Sequence, residues 1–576
     1  MNIQNDGDAA RLRSRRWFNA DGATGVHKIR RFRQGGFDFD DLAGRPIIAI
    51  LSTWSDFNTC HAHFPARIEE IKRGVLEAGG LPMVIPVQSV SESFLRPTSM
   101  LYRNFLAMEV EECIRAHPVD GAILLGGCDK TVPGLTMGAA SAGVPALFVP
   151  AGAMMSGRWR DRILGTGSST WAAEAEWRAG RMSDADWFDL SQASARSPGT
   201  CNTMGTASTM ALLVDVMGLS LPGASTIPAL DSAHSRMASA SGRQIVDMVW
   251  ADRTPDKIVT NASFENALVV DMAIAGSTNS LIHLIAMAKR LGLRLGLDDF
   301  RRCAARVPVL VNLMPAGTYL MEDLHFAGGS RALFNRLSDL LQLSAQTCTG
   351  RTLGEEIDGC AVHDEEVIRP LANPVYGPGA LTILAGTLAP NGAVLKKSGA
   401  SAALLKHIGP AVVFSNHKDM MQRIDDPSLE VTPDSVLVLR NGGPKGAPGM
   451  PEWGMMPIPK RLLEMGVEDM VRISDARMSG TSYGTCILHV APEAAVGGPL
   501  ALVEDGDLIE LDAEAGVLNL LVAENVLAQR REHWTQPQPH YARGYGALFL
   551  NHITQADEGC DFDFLMSGGA TAEPEI

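Results

Sequence analysis

Several absences narrow this chain before any motif is read. No stretch of its 576 residues is apolar for long enough to cross a bilayer. The best candidate, residues 143–155, is too short and carries two prolines. No long basic stripe interrupts a formal charge of −15, so a nucleic-acid partner is not expected. The nine cysteines include no C-x-x-C pair, and no secretion signal precedes them, so they do not describe a disulfide scaffold. The amino-terminal stretch holds Arg11, Arg13, Arg15, Arg16, Arg30, Arg31 and Arg33 but no apolar segment, while Asp6, Asp8 and Asp21 do not fit a transit peptide. A basic arm packed on the body or on another subunit, in a cytoplasmic protein, is the expectation.

What is present fits a soluble globular protein with a large core. A chain of this length exceeds a single core and predicts two or more domains. Residues 46–51, 83–87, 121–125 and 145–149 read as buried strands, and residues 64–78 as a helix stopped by Gly79-Gly80. Strand, helix, strand at this spacing predicts a parallel sheet covered by helices, with the site in loops at the carboxyl ends of the strands. Beyond about residue 375 the pattern changes to short apolar runs (381–384, 411–414, 435–439, 486–490, 500–503, 508–511, 517–522) cut by glycine, proline and aspartate. These predict a carboxy-terminal β-barrel over residues 376–576 after an α/β domain over residues 1–375. Residues 503–508 read as a hairpin turn, 204–217 as buried helix, and 567–576 as a frayed tail.

Three cysteines occupy polar, glycine- or threonine-bearing segments: Asn58-Thr59-Cys60-His61, Gly126-Gly127-Cys128-Asp129-Lys130 and Pro198-Gly199-Thr200-Cys201-Asn202. Cys113, Cys303 and Cys486 fall in apolar or helical patterns and read as core thiols. Three thiolates can anchor an iron–sulfur cluster while leaving one iron open as a Lewis acid, whereas four would favour an electron carrier. Asp129, next to Cys128, fits a hard cation such as Mg²⁺. Lys130 fits beside a cation only if neutral or carbamylated.

Cys-Asp-Lys-Thr-Val-Pro-Gly at 128–134, Gly-Thr-Cys-Asn-Thr-Met-Gly-Thr-Ala-Ser at 199–208, Gly276-Ser277-Thr278-Asn279 and Asp475-Ala476-Arg477-Met478-Ser479-Gly480 resemble the signatures of the dihydroxy-acid dehydratase and phosphogluconate dehydratase family. The resemblance implies that Cys60, Cys128 and Cys201 hold the cluster. It implies that Glu92, Asp129, carbamylated Lys130 and Glu452 bind Mg²⁺. Ser479, as alkoxide, is implied as the base that removes the C2 proton, with Thr481, Ser277 and Asn279 near the substrate. The implied fold is an α/β domain followed by a β-barrel, and the implied assembly a homodimer or homotetramer. The amino-terminal arm, and the segment from Gly544-Tyr545 through Asn551-His552, Gln555-Ala556-Asp557 and Asp561-Phe562-Asp563-Phe564, are similar to the sugar-acid subgroup, such as arabinonate and xylonate dehydratases. That subgroup implies a 2Fe-2S cluster, with 4Fe-4S as the alternative. The polar carboxy-terminal segment is expected to serve a substrate with several hydroxyls.

The expected reaction is removal of water from a sugar acid to give a 2-keto-3-deoxy acid. Two alternatives stand beside it: a dihydroxy-acid dehydratase of branched-chain synthesis, and a non-catalytic iron–sulfur sensor, against which the presence of Ser479 and Glu452 speaks. Asn441-Gly442-Gly443-Pro444-Lys445-Gly446 looks like a phosphate loop but lacks the strand, helix and terminal Lys-Ser/Thr order. It is expected to close a loop and place Glu452. His61 and His63 flank a cluster ligand and allow either a structural role or hydrogen bonds to sulfur or substrate.

Overall fold

The computed structural model describes residues 11–18, 23–38, 42, 44–565 and 573. Apolar runs bounded by glycine or proline form four parallel strands: β1 (Ile47–Ser52), β2 (Leu81–Pro86), β3 (Gly121–Gly126) and β4 (Ala146–Pro150), in the order β2-β1-β3-β4. β1, β3 and β4 are buried along their whole length, as strands covered on both faces must be. Three helices follow the first three strands. α1 (Phe64–Glu77) has Pro65 in its first turn and ends before Gly79, whose φ of +83° suits a helix stop. α2 (Arg103–Ala116) and α3 (Thr131–Ala142) pack on one another. α4 (Ser168–Arg178) lies farther along the chain, and α5 (Thr206–Val216), the expected buried helix, has every residue buried.

The second sheet is an eight-stranded, nearly closed barrel: β5 (Leu381–Leu384), β6 (Gly392–Lys396), β7 (Lys406–Phe414), β8 (Val436–Leu439), β9 (Arg472–Ser474), β10 (Cys486–Ala491), β11 (Leu508–Asp512) and β12 (Val517–Leu520). Its order is β12-β11-β7-β8-β9-β10-β6-β5, with β7 through β10 parallel and the rest antiparallel. The two ends meet through Ala385, which accepts from Leu518 N–H at 3.0 Å and donates to the Gly516 carbonyl at 2.9 Å. Ile383, Val394, Met478 and Leu488 of this half belong to the same apolar core as the first sheet.

Two expectations are corrected. Residues 500–503 are not a strand: Pro499–Leu502 is a 3₁₀ helix, because Pro499 sets φ for a helical first turn. Residues 503–508 therefore do not join two strands; Gly506, at φ +85°, turns the chain into β11, and the hairpin is β11–β12. β6 and β9 are additional to the predicted strands, and β7 is longer than predicted.

The basic arm packs on the body. The Arg13 guanidinium donates to the carbonyls of Arg115, His117 and Val119 at 2.6, 2.8 and 3.2 Å, at the carboxyl end of α2 where a cation is favoured. The expected tail lies outside the described residues except Glu573, which pairs with Arg13 and Arg16. The segment before it is a strap: Tyr545, Phe549 and Phe562 pack with Met100, Ile282 and Met450, and Asp561 forms a fully buried ion pair with Arg290. Among the described residues no helix is long and apolar enough to cross a membrane.

Candidate active site

Both sheets deliver their chemistry from carboxyl ends of parallel strands. Cys60 lies beyond β1 in the 3₁₀ turn Thr59–His61, Glu92 beyond β2, and Cys128, Asp129 and Lys130 between β3 and α3. Cys201 sits in a segment tied to the chain beyond β4 through an Ala153–Thr200 bridge. Glu452 follows β8 and Ser479 follows β9.

The three thiols converge. Cys60 is hydrogen-bonded to Cys128 and within electrostatic reach of Cys201 and Asp129. That hydrogen bond, then burial and the neighbouring thiols, push the Cys60 thiol well above its ordinary value. Burial, Asp129 and Cys128 push Cys201 up to about 12. Thiols so costly to ionise next to carboxylates call for a strong positive centre, and a metal reverses this balance by binding the thiolate. Cys128 is oriented by its surroundings: its backbone N–H donates to His61 Nε2 at 3.0 Å, and Glu92 N–H points at its sulfur at 3.5 Å. His61 Nδ1 lies 2.9 Å from the Thr53 carbonyl, and burial lowers this imidazole to about 3, so it is neutral. His63 hydrogen-bonds the Ala151 carbonyl, and both histidines are bonded within the protein.

Beside the thiols, carboxylate oxygens of Glu92, Asp129 and Glu452 all lie within 4.8 Å of one another. Lys130 Nζ, fully buried, stands 3.1, 3.4 and 3.2 Å from Glu92, Asp129 and Glu452. Burial and Arg477 oppose its charge, but the carboxylates prevail and raise its affinity for the proton. Burial alone would raise Glu92; Lys130 and Arg477 bring it below the usual carboxylate range. Burial dominates at Glu452 and raises it. Three thiols beside three carboxylates fit a cluster with three protein ligands and a hard, oxygen-seeking cation.

The turn that carries Ser479 is wedged between segments of the first domain. Gly480 lies against Thr206 and Ser277 with no room for a side chain. Gly167, at φ +78°, lies against Thr481 in the same way. Ser479 Oγ and Thr481 Oγ1 are 2.9 Å apart, and the Thr481 N–H points at Ser479 Oγ at 3.3 Å.

Ser277 and Asn279 are fully enclosed. Ser277 Oγ bonds Thr206 Oγ1 at 2.9 Å. Asn279 Nδ2 donates to Thr206 Oγ1, the Met478 carbonyl and Glu452 at 3.0, 3.1 and 3.4 Å. Their bonds thus support Glu452 and the serine turn. Arg477, unassigned from the sequence, is equally buried and donates to Glu452, Asn279 Oδ1 and the Met450 carbonyl at 2.9, 3.2 and 2.7 Å. Its presence inside a motif was the one available signal.

The glycine-rich loop cradles a carboxylate of the protein itself. The N–H groups of Lys445 and Gly446 point at Glu493, at 3.0 and 2.8 Å, and Gly442 N–H at Asp475. The carboxy-terminal polar residues also find partners inside the protein: Gln555 bonds Glu493 at 2.8 Å, Asp561 pairs with Arg290, and Tyr545 donates to the Leu101 carbonyl. The polarity of these three serves to fasten the strap. A cavity of about 410 Å³ between α4 and the barrel loops reaches Glu452 past Trp171, His417, Trp453 and Tyr483.

Residues 45–356 match the amino-terminal model, and residues 366–560 the carboxy-terminal model, of dihydroxy-acid/6-phosphogluconate dehydratases. The chain belongs to this dehydratase family. Within it, the chain is 53% identical to a 6-deoxy-6-sulfo-D-gluconate dehydratase of Pseudomonas putida, with 98% of each chain covered. It is 47% identical to an L-arabonate dehydratase of Azospirillum brasilense, covering 96% of this chain and 97% of the relative. A dihydroxy-acid dehydratase of Caldicellulosiruptor bescii is 38% identical, covering 92% of this chain and 96% of the relative.

Proposed function

We propose that this protein is a hydro-lyase that dehydrates a sugar acid to its 2-keto-3-deoxy acid. The observation that carries the reading is the meeting of three thiols, three carboxylates and a serine–threonine pair at one seam between two sheets. Identities of 53% and 47% to relatives named for sugar acids, against 38% to one named for dihydroxy acids, favour the sugar acid.

Cys60, Cys128 and Cys201 would hold an iron–sulfur cluster, 2Fe-2S in the subgroup reading. Glu92, Asp129, Glu452 and a carbamylated Lys130 would hold Mg²⁺. When bound, the cluster and Mg²⁺ supply Lewis acidity toward the C3 hydroxyl and positive charge beside the carboxylate and C2 oxygen. Ser479 Oγ takes the C2 proton, and the Thr481 N–H and hydroxyl stabilise the serine oxygen while it is anionic. The C2–H electron pair becomes the C2–C3 double bond as the C3–O bond breaks; the departing hydroxide takes from Ser479 the proton removed from C2, which releases water and restores the serine alkoxide, and the enol tautomerises to the keto acid. Asn279 and Arg477 keep Glu452 and the serine turn in register.

The test is anaerobically purified protein incubated with C4 to C6 aldonates, a 6-sulfo aldonate and a branched C5 dihydroxy acid, with keto acid trapped by semicarbazide. Keto acid from one or more sugar acids supports the reading. Turnover of the branched acid alone transfers the protein to the branched-chain activity, and coloured protein with no product from any acid makes it a sensor. Replacing any of the three cysteines by serine is expected to lower bound iron, and Ser479→Ala to retain iron but lose turnover.

A further inference from the structure

Trp171, in the first turn of α4, points its indole Nε1–H at Thr481 Oγ1 from 3.2 Å. An indole nitrogen can only donate. Thr481 Oγ1 therefore accepts on that side, and its single hydroxyl proton is left for another acceptor. Ser479 Oγ lies 2.9 Å away. Once Ser479 Oγ is the anionic base it can only accept, so the bonds then run from Trp171 to Thr481 to Ser479, and the indole donation into Thr481 Oγ1 polarises that hydroxyl toward the serine. Together with the Thr481 N–H at 3.3 Å, it gives the serine oxygen two donors.

The placement is built from several contacts. Ser168, three residues before Trp171, donates to the Thr481 carbonyl at 2.8 Å, and Gly167 admits the threonine side chain against its own α-carbon. The amino-terminal turn of α4 therefore grips Thr481 by its carbonyl and hydroxyl together, while Thr481 itself is buried. Without the indole donor, the Thr481 hydroxyl loses the bond that polarises it and becomes a weaker donor to the oxygen that must hold negative charge.

We propose that Trp171 is a positioning residue for the dehydration: its N–H, donated into Thr481 Oγ1, holds and strengthens that hydroxyl as a donor to the Ser479 oxygen that takes the proton. This rests on the reading of Ser479 as the base. The test uses the metal-loaded full-length enzyme with its sugar-acid substrate. Trp171→Phe keeps the ring and removes the donor. Its kcat is expected to fall about tenfold, the worth of one hydrogen bond, while KM, bound iron and the cluster's absorbance stay at wild-type values. In a Thr481→Val background, adding Trp171→Phe is expected to lower kcat no further, because the indole acts only through that hydroxyl. Unchanged kcat in Trp171→Phe, a loss confined to KM, or losses that add in the double variant would overturn the proposal. Ser479→Ala separates the two ideas. Wild-type turnover there defeats the base itself, whereas an inactive Ser479→Ala beside a fully active Trp171→Phe defeats only the role given to the indole.

Discussion

Replacing Asp561 by alanine removes one half of an ion pair that water does not reach. Arg290 Nε and Nη2 donate to the two Asp561 oxygens at 2.6 and 3.0 Å, and neither side chain has any exposed surface. An unpaired guanidinium in such a place costs about 3–5 kcal/mol. Glu111, 3.8 Å from Arg290, and the Ser141 hydroxyl at 3.1 Å remain to recover part of this, so the lower end applies. About 3 kcal/mol corresponds to an opening equilibrium of the strap shifted roughly 100-fold. Hydrogen exchange on peptides covering residues 553–563 measures that shift directly. Replacing both partners with apolar residues, Arg290→Met with Asp561→Leu, removes the stranded charge and is expected to return exchange to within about tenfold of wild type. Wild-type exchange in Asp561→Ala, or a double variant as labile as the single one, would refute the reasoning. The strap also carries Gln555, which holds Glu493 under the 441–446 loop that precedes Glu452. Loosening it should therefore raise the Mg²⁺ concentration needed for half-maximal activity as well.

Burial raises Asp271 to about 7 from 3.8, so the folded state resists an ionisation that the unfolded chain completes at much lower pH. As pH climbs through that window, this group removes about 1.4 kcal/mol of stability per unit. Asp271→Asn should then gain on wild type between about pH 4 and about pH 7 in thermal unfolding, and a constant difference across that range would contradict this. Gly167→Ala places a methyl group against Thr481 at a φ of +78°, and turnover should drop on the order of 100-fold with iron content unchanged. Glu452→Gln takes one charge from the carboxylate trio and should weaken Mg²⁺ binding tenfold or more in a calorimetric titration, roughly the loss seen for groups supporting a metal site.

The first sheet was legible because β1, β3 and β4 are buried along their whole length, which leaves unbroken apolar runs between glycines and prolines. The barrel was harder to read for the opposite reason. β9 is only three residues, Arg-Ile-Ser, and its Arg472 is buried against Asp469 and the Met456 carbonyl, contacts that no local pattern foretells. Residues 500–503 show the converse: four apolar residues look alike in a strand and in a 3₁₀ turn, and Pro499 decided the matter. The 441–446 loop was read correctly as something other than a phosphate site, yet its backbone does what phosphate loops do. Its N–H groups surround an anion, which here is Glu493.

The candidate site divides along the same line. Cys60, Cys128, Cys201 and Asp129 stand in strand-end loops, where polar residues in glycine- or threonine-bearing segments look out of place, so both chemistry and motif drew attention to them, whereas Glu92 and Glu452 came from the family resemblance alone. Arg477 and Trp171 did not stand out, since each acts across the seam. Arg477 bonds Asn279, 198 residues away, and Trp171 bonds Thr481, 310 residues away. An arginine or tryptophan in an ordinary helix or turn carries no mark of a partner so distant. The residues that would bind metal come from separate strand ends in both sheets, so their geometry is only as good as the contacts that hold those ends together. Those contacts join Arg477 and Trp171, which sequence reasoning missed, to Asn279 and Thr481, which it had placed near the substrate. It follows that variants at the seam should lose activity while keeping iron, whereas variants at the cysteines should lose both.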